Sequence, residues 1–279
     1  HWMVANQNKD GSWYNLYQDE RPLELNKQTN YASYLSVAVW HFYLLNNDTN
    51  FLQNFWEPVK KGILFSLSVQ HSNGAIAWNI DEHGKIDEDY LLTGCSSIAK
   101  SIECAIAICQ VLGHQNYESE WKIAHLKLIT ALENPSEIFD LQKDRSRFSM
   151  DWYYPILGGI NSKTRIASLI TKIQDSFWIG GLGIKCVSDE PWVTVAETSE
   201  CSIAYKKIGE DKIASELLYN AIAIVDSKGI PYMGWQFSEK IYWPDETPTW
   251  TSAACILAAD ANNRLTPGAD LFLKQQFKP

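Results

Sequence analysis

The stretch from Thr93 to Gly113, TGCSSIAKSIECAIAICQVLG, decides the fold because it reads as a helix with small residues on nearly all sides. A helix with little charge around its whole circumference is buried on all sides. Small residues also let neighbouring helix axes approach closely. We call this kind of helix inner-type. Three more stretches share its composition: TNYASYLSVAVWHFYLL (29–45), WVTVAETSECSIAYKKIG (192–209) and TWTSAACILAADAN (249–262).

A second kind of helix alternates with the first along the chain. It places large apolar residues on one face and Lys or Glu on the other. In the first example Phe51, Phe55 and Ile63 follow the helical stripe, whereas Lys60 lies outside it. The four examples are FLQNFWEPVKKGILFSLSVQ (51–70), YESEWKIAHLKLITALE (117–133), KTRIASLITKIQDSFW (163–178) and GEDKIASELLYNAIAIVDS (209–227).

This alternation predicts the architecture. The starts of the inner-type helices, and of the segment FSMDWYYPILGG (148–159), lie roughly 45–65 residues apart, a period that indicates stacked supersecondary units. An inner helix buried all round, followed by an amphipathic outer one, predicts an all-α (α/α) toroid or barrel of five to six helical hairpins. We treat residues 1–279 as a single domain of this kind. An open solenoid uses the same two kinds of helix and is the alternative architecture.

Two loops repeat one pattern, QNKDGSW (7–13) and QHSNGAIAW (70–78). Each has a glutamine, two spacer residues, Asp or Asn, a glycine and then a tryptophan. The glycine supplies a positive φ at a helix end, and the polar side chains cap free backbone groups. In a toroid such loops gather around the mouth of the central cavity. DSKGIPYMGW (226–235) is a weaker third copy.

Composition excludes several classes of protein. The 279 residues are 46% hydrophobic and 20% charged, as in ordinary globular domains. A net charge of −9 without long Lys or Arg runs argues against nucleic acid or anionic membranes as partners. No apolar stretch approaches the ~20 residues that span a bilayer. The six cysteines form no CxxC pair, which predicts buried thiols in a reducing, cytoplasmic compartment, without a metal or another cofactor.

The first residues read as part of a helix, HWMVANQ, that opens at His1. We therefore expect a further helical segment before His1 in the complete protein. The sequence leaves the oligomeric state open.

Six stretches carry a resemblance to a known group of proteins: DGSW (10–13), TNYASYLSVAVWH (29–41), GCSSI (94–98), SMDWYYPILGG (149–159), GLGIKCV (181–187) and PWVTVAET (191–198). Together they resemble bacterial α/α-toroid proteins labelled prenyltransferase-like or phenyltransferase domain. The resemblance covers essentially the whole chain. It implies the toroid shared by terpenoid cyclases, protein prenyltransferases and six-hairpin glycosidases, and it implies no activity by itself.

Prenyl chemistry needs motifs that this sequence lacks. A terpenoid cyclase would carry DxDD or DDxxD, and DEDY at 87–90 does not match either pattern. A protein prenyltransferase would need an Asp/Cys/His zinc set, for which Cys186 with Asp189 is a poor substitute. Without these motifs, an isoprenoid enzyme is only the first alternative interpretation. In such an enzyme the aromatic side chains would line a pocket for a carbocation. A non-catalytic ligand-binding toroid is a second alternative.

Sugar chemistry fits the loops better. Glycoside hydrolysis needs two carboxylates facing one bond. Asp151 lies beside Met150 and among three aromatic residues, an environment expected of a general acid. Glu197 lies near the start of an inner-type helix, where a carboxylate is costly unless it is paired or used. A cap role for Asp151 and a helix-dipole role for Glu197 are the structural alternatives. Glu88 and Asp245 are weaker catalytic candidates.

Sugars also stack on aromatic rings, and aromatic residues recur beside the acidic ones. His41 is the least specific of these candidates, because a lone histidine on an inner-type helix is also typical of a hydrogen-bonded core. The sequence thus predicts a carbohydrate-active enzyme with glycosidase-like acid–base chemistry and a sugar-like small-molecule substrate. The substrate-binding candidates are Trp13, Tyr31, His41, Trp78, Trp152, Tyr153, Trp192 and Trp243.

Overall fold

The structure is a computed structural model that describes residues 1–278, and helices dominate it. The helices confirm every helical stretch expected from the sequence, with differences of a few residues at their ends. In chain order they are α1 (Trp2–Ala5), α2 (Thr29–Asn46), α3 (Thr49–Leu67), α4 (Leu92–Leu112), α5 (Gln115–Glu133), α6 (Met150–Gly158), α7 (Lys163–Ser176), α8 (Val195–Lys207), α9 (Asp211–Ile222) and α10 (Thr249–Asn263), followed by a short 3-10 helix, Pro267–Asp270.

Short strands form four small antiparallel sheets in the loops of the described chain. One correction follows, because β7 occupies the first residues of the stretch 192–209 that the sequence assigned wholly to a helix. Pairing with β8 holds this part of the chain extended. The sheets are β1 (Leu16–Gln18) with β2 (Arg21–Glu24), β3 (Lys27–Gln28) with β4 (Asn79–Ile80), β5 (Trp178–Ile179) with β6 (Gly183–Ile184), and β7 (Trp192–Thr194) with β8 (Gly234–Gln236) and β9 (Ile241–Tyr242).

The chain forms two compact units. The N-terminal unit comprises His1–Lys143, Gly158–Ile160 and the segment from Gln275 onward, and the C-terminal unit comprises Asp144–Leu157 and Asn161–Lys274. In the N-terminal unit α2 packs on α3 and α4, and α4 packs on α5. In the C-terminal unit α8 packs on α9 and α10. In both units an inner-type helix therefore lies beside the amphipathic helix that follows it, as expected.

Helix α4 forms the core of the N-terminal unit. Its residues are buried almost without interruption from Cys95 to Cys109. Within this core Lys100 and Glu103 form an ion pair of 2.7 Å, with side chains only 2% and 4% exposed. By length and composition α4 is the one helix among residues 1–278 that is long and apolar enough to cross a bilayer, which the sequence analysis overlooked. Most of it is buried inside the protein.

The other inner-type helices are not all buried on every side. Tyr31 and Phe42 of α2 are 50% and 39% exposed. Trp250 and Ile256 of α10 are 60% and 68% exposed. The expectation of burial all round is therefore confirmed for α4 and is wrong for one side of α2 and of α10, because no described residue covers these side chains.

The repeated loops dock on amphipathic helices. The side-chain amides of Gln7 and Gln70 each donate to the glycine carbonyl of their own loop and to one carbonyl in a helix, Pro58 in α3 and Ala124 in α5. The third copy, 226–235, has the same backbone turn. At the position of the glutamine in the other two copies, this loop has Val225. It therefore lacks the side-chain amide that anchors the other loops to a helix.

Candidate active site

Glu197 lies on the first turn of α8, directly after strand β7. A carboxylate is favoured at this position because the N-terminal end of a helix is the positive end of its dipole. Cys186 lies beside the Glu197 carboxylate. Burial, and then the negative charge of Glu197, raise the pKa of the Cys186 thiol. Cys186 therefore stays protonated next to Glu197.

Two tryptophans share a face of the adjacent sheet with Cys186. The backbone N–H of Cys186 donates to the Trp192 carbonyl at 3.3 Å, so the two residues lie opposite each other and their side chains point to one face. The indole N–H of Trp192 donates to the Trp243 carbonyl at 2.6 Å, and the two rings meet edge to face with centroids 5.3 Å apart. The structure thus brings Glu197, through Cys186, to the same side as this aromatic pair.

Gly234 of β8 makes room for this arrangement. A Cβ at this position would lie 2.6 Å from the indole nitrogen of Trp192 and 2.5 Å from the Val193 carbonyl oxygen. Any side chain would therefore displace the Trp192 ring or the strand beneath it. The Trp243 ring is 52% exposed, so part of its surface is open to a ligand.

A second glutamate, Glu200, lies one turn further along α8, and the sequence analysis did not single it out. Its carboxylate accepts hydrogen bonds from the hydroxyls of Tyr153 (2.8 Å) and Tyr154 (3.0 Å) on α6. Burial, and then the charge of Glu197, raise the pKa of Glu200 to about 7, although the two tyrosine hydrogen bonds act in the opposite direction. The available signal was its spacing from Glu197, since residues three apart share a helix face.

The start of α6 carries three of the predicted residues. Asp151 is the second residue of the helix and is only 6% exposed. Trp152 is half-buried, with the Lys172 ammonium 5.5 Å from its ring centroid. Tyr153 is fully buried. Its prediction as a sugar contact therefore needs correction, because its ring has no free face and its hydroxyl serves Glu200 instead.

The two weaker carboxylate candidates lie in loops. Asp245 lies close to Tyr232, and the pKa of that tyrosine is raised by loss of solvent and by the Asp245 charge. Glu88 is exposed in a loop of the N-terminal unit. The pKa of Tyr90 is raised first by burial of the tyrosine and then by the negative charge of Glu88.

The N-terminal unit carries the remaining aromatic and histidine candidates. Trp13 is only 3% exposed, and its indole N–H donates to a carbonyl in α1, so its proposed stacking on a sugar also needs correction. Tyr31 is exposed on the first turn of α2, and His41 is half-buried on the same helix. Trp78 is half-buried, and its carbonyl accepts from the backbone N–H of Thr29, where α2 begins.

These groups are suited to acid–base work. Two carboxylates one turn apart, one with a pKa of about 7, can hold or release a proton near neutral pH. An aromatic pair beside them presents the surface on which a sugar ring packs. Among residues 1–278, no group of three or more His, Cys, Asp or Glu side chains is placed to hold a metal ion.

Solved structures similar to this chain include sugar-converting enzymes. A sugar epimerase from a ruminal bacterium matches with a TM-score of 0.68 and 12% identity, over 99% of this chain and 80% of its own. The GH63 mannosylglycerate hydrolase of Thermus thermophilus matches with a TM-score of 0.65 and 10% identity, over 92% and 85%. Such low identities show the fold alone, and the predicted α/α toroid is confirmed. Fold and site together define a carbohydrate-active enzyme of the α/α-toroid class.

A relative places the chain within this class. The MMP endo-(1,4)-3-O-methyl-alpha-D-mannosidase of Mycolicibacterium hassiacum (strain DSM 44199) is 38% identical over 271 residues, which are 97% of this chain and 74% of the relative. The chain belongs to the family of this mannosidase and is an enzyme with glycosidase-like hydrolase activity. No family model matches the chain. These matches support the six-hairpin glycosidase side of the sequence resemblance and do not support its prenyltransferase side or a non-catalytic toroid.

Proposed function

We propose that the protein hydrolyses internal (1,4) linkages in chains of 3-O-methyl-α-D-mannose, with Asp151 and Glu197 as the working carboxylates. The Mycolicibacterium relative bears this activity in its name, and it shares most of its length with this chain. One observation carries the choice of site. Glu197 lies beside Cys186, which lies opposite Trp192 on the face that also carries Trp243.

The proposed reaction adds water across the bond between C1 of one sugar and the oxygen that links it to the next. Asp151, as the acid, gives its proton to that oxygen while the bond to C1 breaks. Glu197, as the carboxylate, either removes a proton from the attacking water or attacks C1 itself to form an ester that water then cleaves. The first route inverts the anomeric configuration and the second retains it, so the anomer of the first product identifies the route.

The aromatic pair supports a methylated substrate. A methyl ether replaces a hydroxyl by an apolar group, and each buried carbon of this kind contributes about 0.8 kcal/mol of favourable transfer free energy. Trp192 and Trp243 offer the apolar surface on which such a group can pack. Tyr31, His41 and Trp152 remain candidates for further sugar contacts, together with Trp78.

The test uses (1,4)-linked 3-O-methyl-α-D-manno-oligosaccharides beside their unmethylated counterparts, with the products followed by mass spectrometry. The wild-type enzyme is expected to release fragments of intermediate size before monosaccharide, and to prefer the methylated chain. Glu197→Gln and Asp151→Asn are each expected to lower kcat by about a hundredfold or more, the usual contribution of a general acid or base. Their circular dichroism spectra should match that of the wild-type protein.

Glu216→Gln, an exposed change on α9, is the matched control and should leave kcat unchanged. The kcat values of Glu88→Gln and Asp245→Asn show whether either of the two weaker catalytic candidates contributes to the reaction. A folded wild-type enzyme that leaves the methylated chain intact would reject the substrate. Full activity of Glu197→Gln would reject the site.

We also propose that the enzyme works in the cytoplasm. All six cysteines are free thiols in the structure, five of them buried and Cys186 half-buried, as is usual in a reducing compartment. Fractionation of the source cells, with the enzyme detected by antibody, tests this location; recovery in the extracellular fraction would contradict it.

A further inference from the structure

Glu200 is a half-buried titratable group that the proposed reaction does not use. It lies one turn below Glu197 on α8, so the two carboxylates share one face of the helix. Both oxygens of Glu200 are occupied, Oε2 by the hydroxyl of Tyr153 and Oε1 by that of Tyr154. Such two-point binding fixes the plane of the carboxylate and leaves it little freedom to turn toward a substrate. Glu200 is therefore placed to act on its neighbour and not on the sugar.

The two largest effects on the pKa of Glu200 both disfavour its charged form. Burial and the Glu197 charge both disfavour its ionised form, and only the tyrosine hydrogen bonds favour it. The charge of Glu200 in turn helps to raise the pKa of Cys201. The titratable groups near this part of α8 include Tyr153 and Tyr154 from α6, Cys186 from the segment after β6, Glu197 and Cys201 from α8 itself, and Cys255 from α10, whose thiol lies 3.5 Å from the Ser199 hydroxyl.

We propose that Glu200, fixed by the hydroxyls of Tyr153 and Tyr154, is a positioning residue that keeps Glu197 in its working orientation by staying uncharged one helical turn away. This inference rests on the proposed role of Glu197 in hydrolysis. In the working state Glu200 carries a proton and Glu197 carries the negative charge. When the pair loses that proton, two negative charges face each other across one helical turn, and repulsion moves the mobile partner, Glu197, out of position.

The sign of the pH dependence follows from this arrangement. Glu200 carries the proton and loses it as the pH rises through about 7. Activity should therefore fall above this pH. A single ionisation lowers the rate tenfold for each further pH unit. Removing the tyrosine hydroxyls takes away hydrogen bonds that favour the ionised form, so the fall should move to higher pH.

The kinetic test measures kcat and KM on the methylated oligosaccharide between pH 5 and about 9, the range in which such a group titrates. The wild-type kcat should fall about fivefold between pH 7 and 8, as expected of one group with a pKa of about 7, with little change in KM. Glu200→Gln keeps a neutral donor at the same place and cannot ionise, so its kcat should stay within about twofold over that interval. Tyr153→Phe with Tyr154→Phe should shift the fall upward, and Glu216→Gln should reproduce the wild-type profile.

A substrate-free measurement separates this inference from the proposed function. Thermal unfolding is recorded from about pH 4 to about pH 9 for the wild-type protein, Glu200→Gln and Glu197→Gln, so that the ordinary and the raised pKa of Glu200 both lie within the range. A carboxyl whose pKa is raised by folding loses stability as the pH rises from its unfolded value toward the folded one. The wild-type Tm should thus fall between pH 4.5 and about 7 more steeply than that of Glu200→Gln. In Glu197→Gln, where the neighbouring charge is gone, this fall should end at lower pH.

The outcomes are distinct. Parallel Tm profiles in wild-type protein and Glu200→Gln would overturn the inference whatever the substrate, and so would an unchanged kinetic fall in Glu200→Gln. A wild-type enzyme that shows the expected Tm profiles but cleaves no methylated oligosaccharide would overturn the proposed substrate, while the coupling between the two glutamates would stand.

Discussion

At the scale of single residues, the glycines of the repeated loops explain why these loops keep one sequence. Gly74 has φ +97°, and a Cβ there would lie 2.2 Å from the Lys127 carbonyl oxygen in α5. Gly11 has φ +95° and would meet the Lys61 carbonyl of α3 at the same distance. Together with the glutamine amides, these close approaches press each loop against the backbone of a helix. The glycine is thus required by both conformation and space.

Replacing Gly74 by alanine should destabilise the protein by about 3 kcal/mol or more, the sum of left-handed strain and overpacking. Gly84 offers a matched control, because it occupies the same position in the same backbone turn, with φ +83°, but has open space around its Cβ. Gly84→Ala should therefore cost only about 1–2 kcal/mol, the strain alone. Urea denaturation of both variants measures the difference. Equal losses would show that contact with α5 does not matter.

At the scale of elements, α4 holds its buried ion pair by more than one contact. Glu103 accepts from Lys100 and also from the backbone N–H of Gln276, so the same carboxylate holds the C-terminal segment of the chain. Buried pairs of this kind contribute little net stability, yet removing one partner leaves an uncompensated charge in the core.

Lys100→Met should therefore lower the free energy of unfolding by about 3–5 kcal/mol. The double variant Lys100→Met with Glu103→Leu removes both charges and should recover part of that loss, although Gln276 then lacks its acceptor. Chemical denaturation of the wild-type protein, Lys100→Met, Glu103→Leu and the double variant checks this expectation. A double variant less stable than the sum of the two single changes would contradict the argument.

The sheet β7–β8–β9 is the element that presents aromatic surface beside Glu197. Trp243→Ala should weaken substrate binding about tenfold, or about 1.4 kcal/mol, and should raise KM more than it lowers kcat, because stacking acts on the bound sugar as a whole. Tyr219→Ala, a highly exposed aromatic change on α9, is the control and should leave both constants unchanged. Steady-state kinetics on the methylated oligosaccharide measures KM and kcat for both variants. A loss confined to kcat would indicate a different role for Trp243.

At the scale of the whole molecule, the reactivity of the cysteine thiols measures how well side chains are buried in each of the two units. Burial raises the pKa of Cys109 to about 12, and that of Cys95 likewise, so neither forms the reactive thiolate at neutral pH. We expect six thiols to react with a disulfide reagent in denaturant without prior reduction, and the buried thiols to react slowly in the native protein at about pH 8, just below the ordinary thiol pKa. Fewer than six in denaturant would contradict the free-thiol state.

The sequence by itself determined the helices, because their signals are local. Small residues all round α4 and an apolar stripe on α3 are properties of consecutive residues, and they predicted both the alternation and the toroid class. The pairing of aromatic with acidic residues in the loops likewise predicted sugar chemistry and drew attention to Trp192, whereas a carboxylate near the start of an inner-type helix drew attention to Glu197. Each of these features can be read within a single helix or a single loop.

Only the tertiary structure decided what those residues contact. The sequence predicted that Tyr153, close to Asp151, contacts the sugar. In the structure packing buries its ring, and its hydroxyl donates to Glu200, 47 positions away. Glu200 itself read as one more polar residue on α8 until α6 supplied two donors. Such contacts depend on how distant helices pack, and the free energy of burial and the raised pKa arise from that packing alone. For this reason the class of enzyme could be predicted from the sequence, and the role of Glu200 could not.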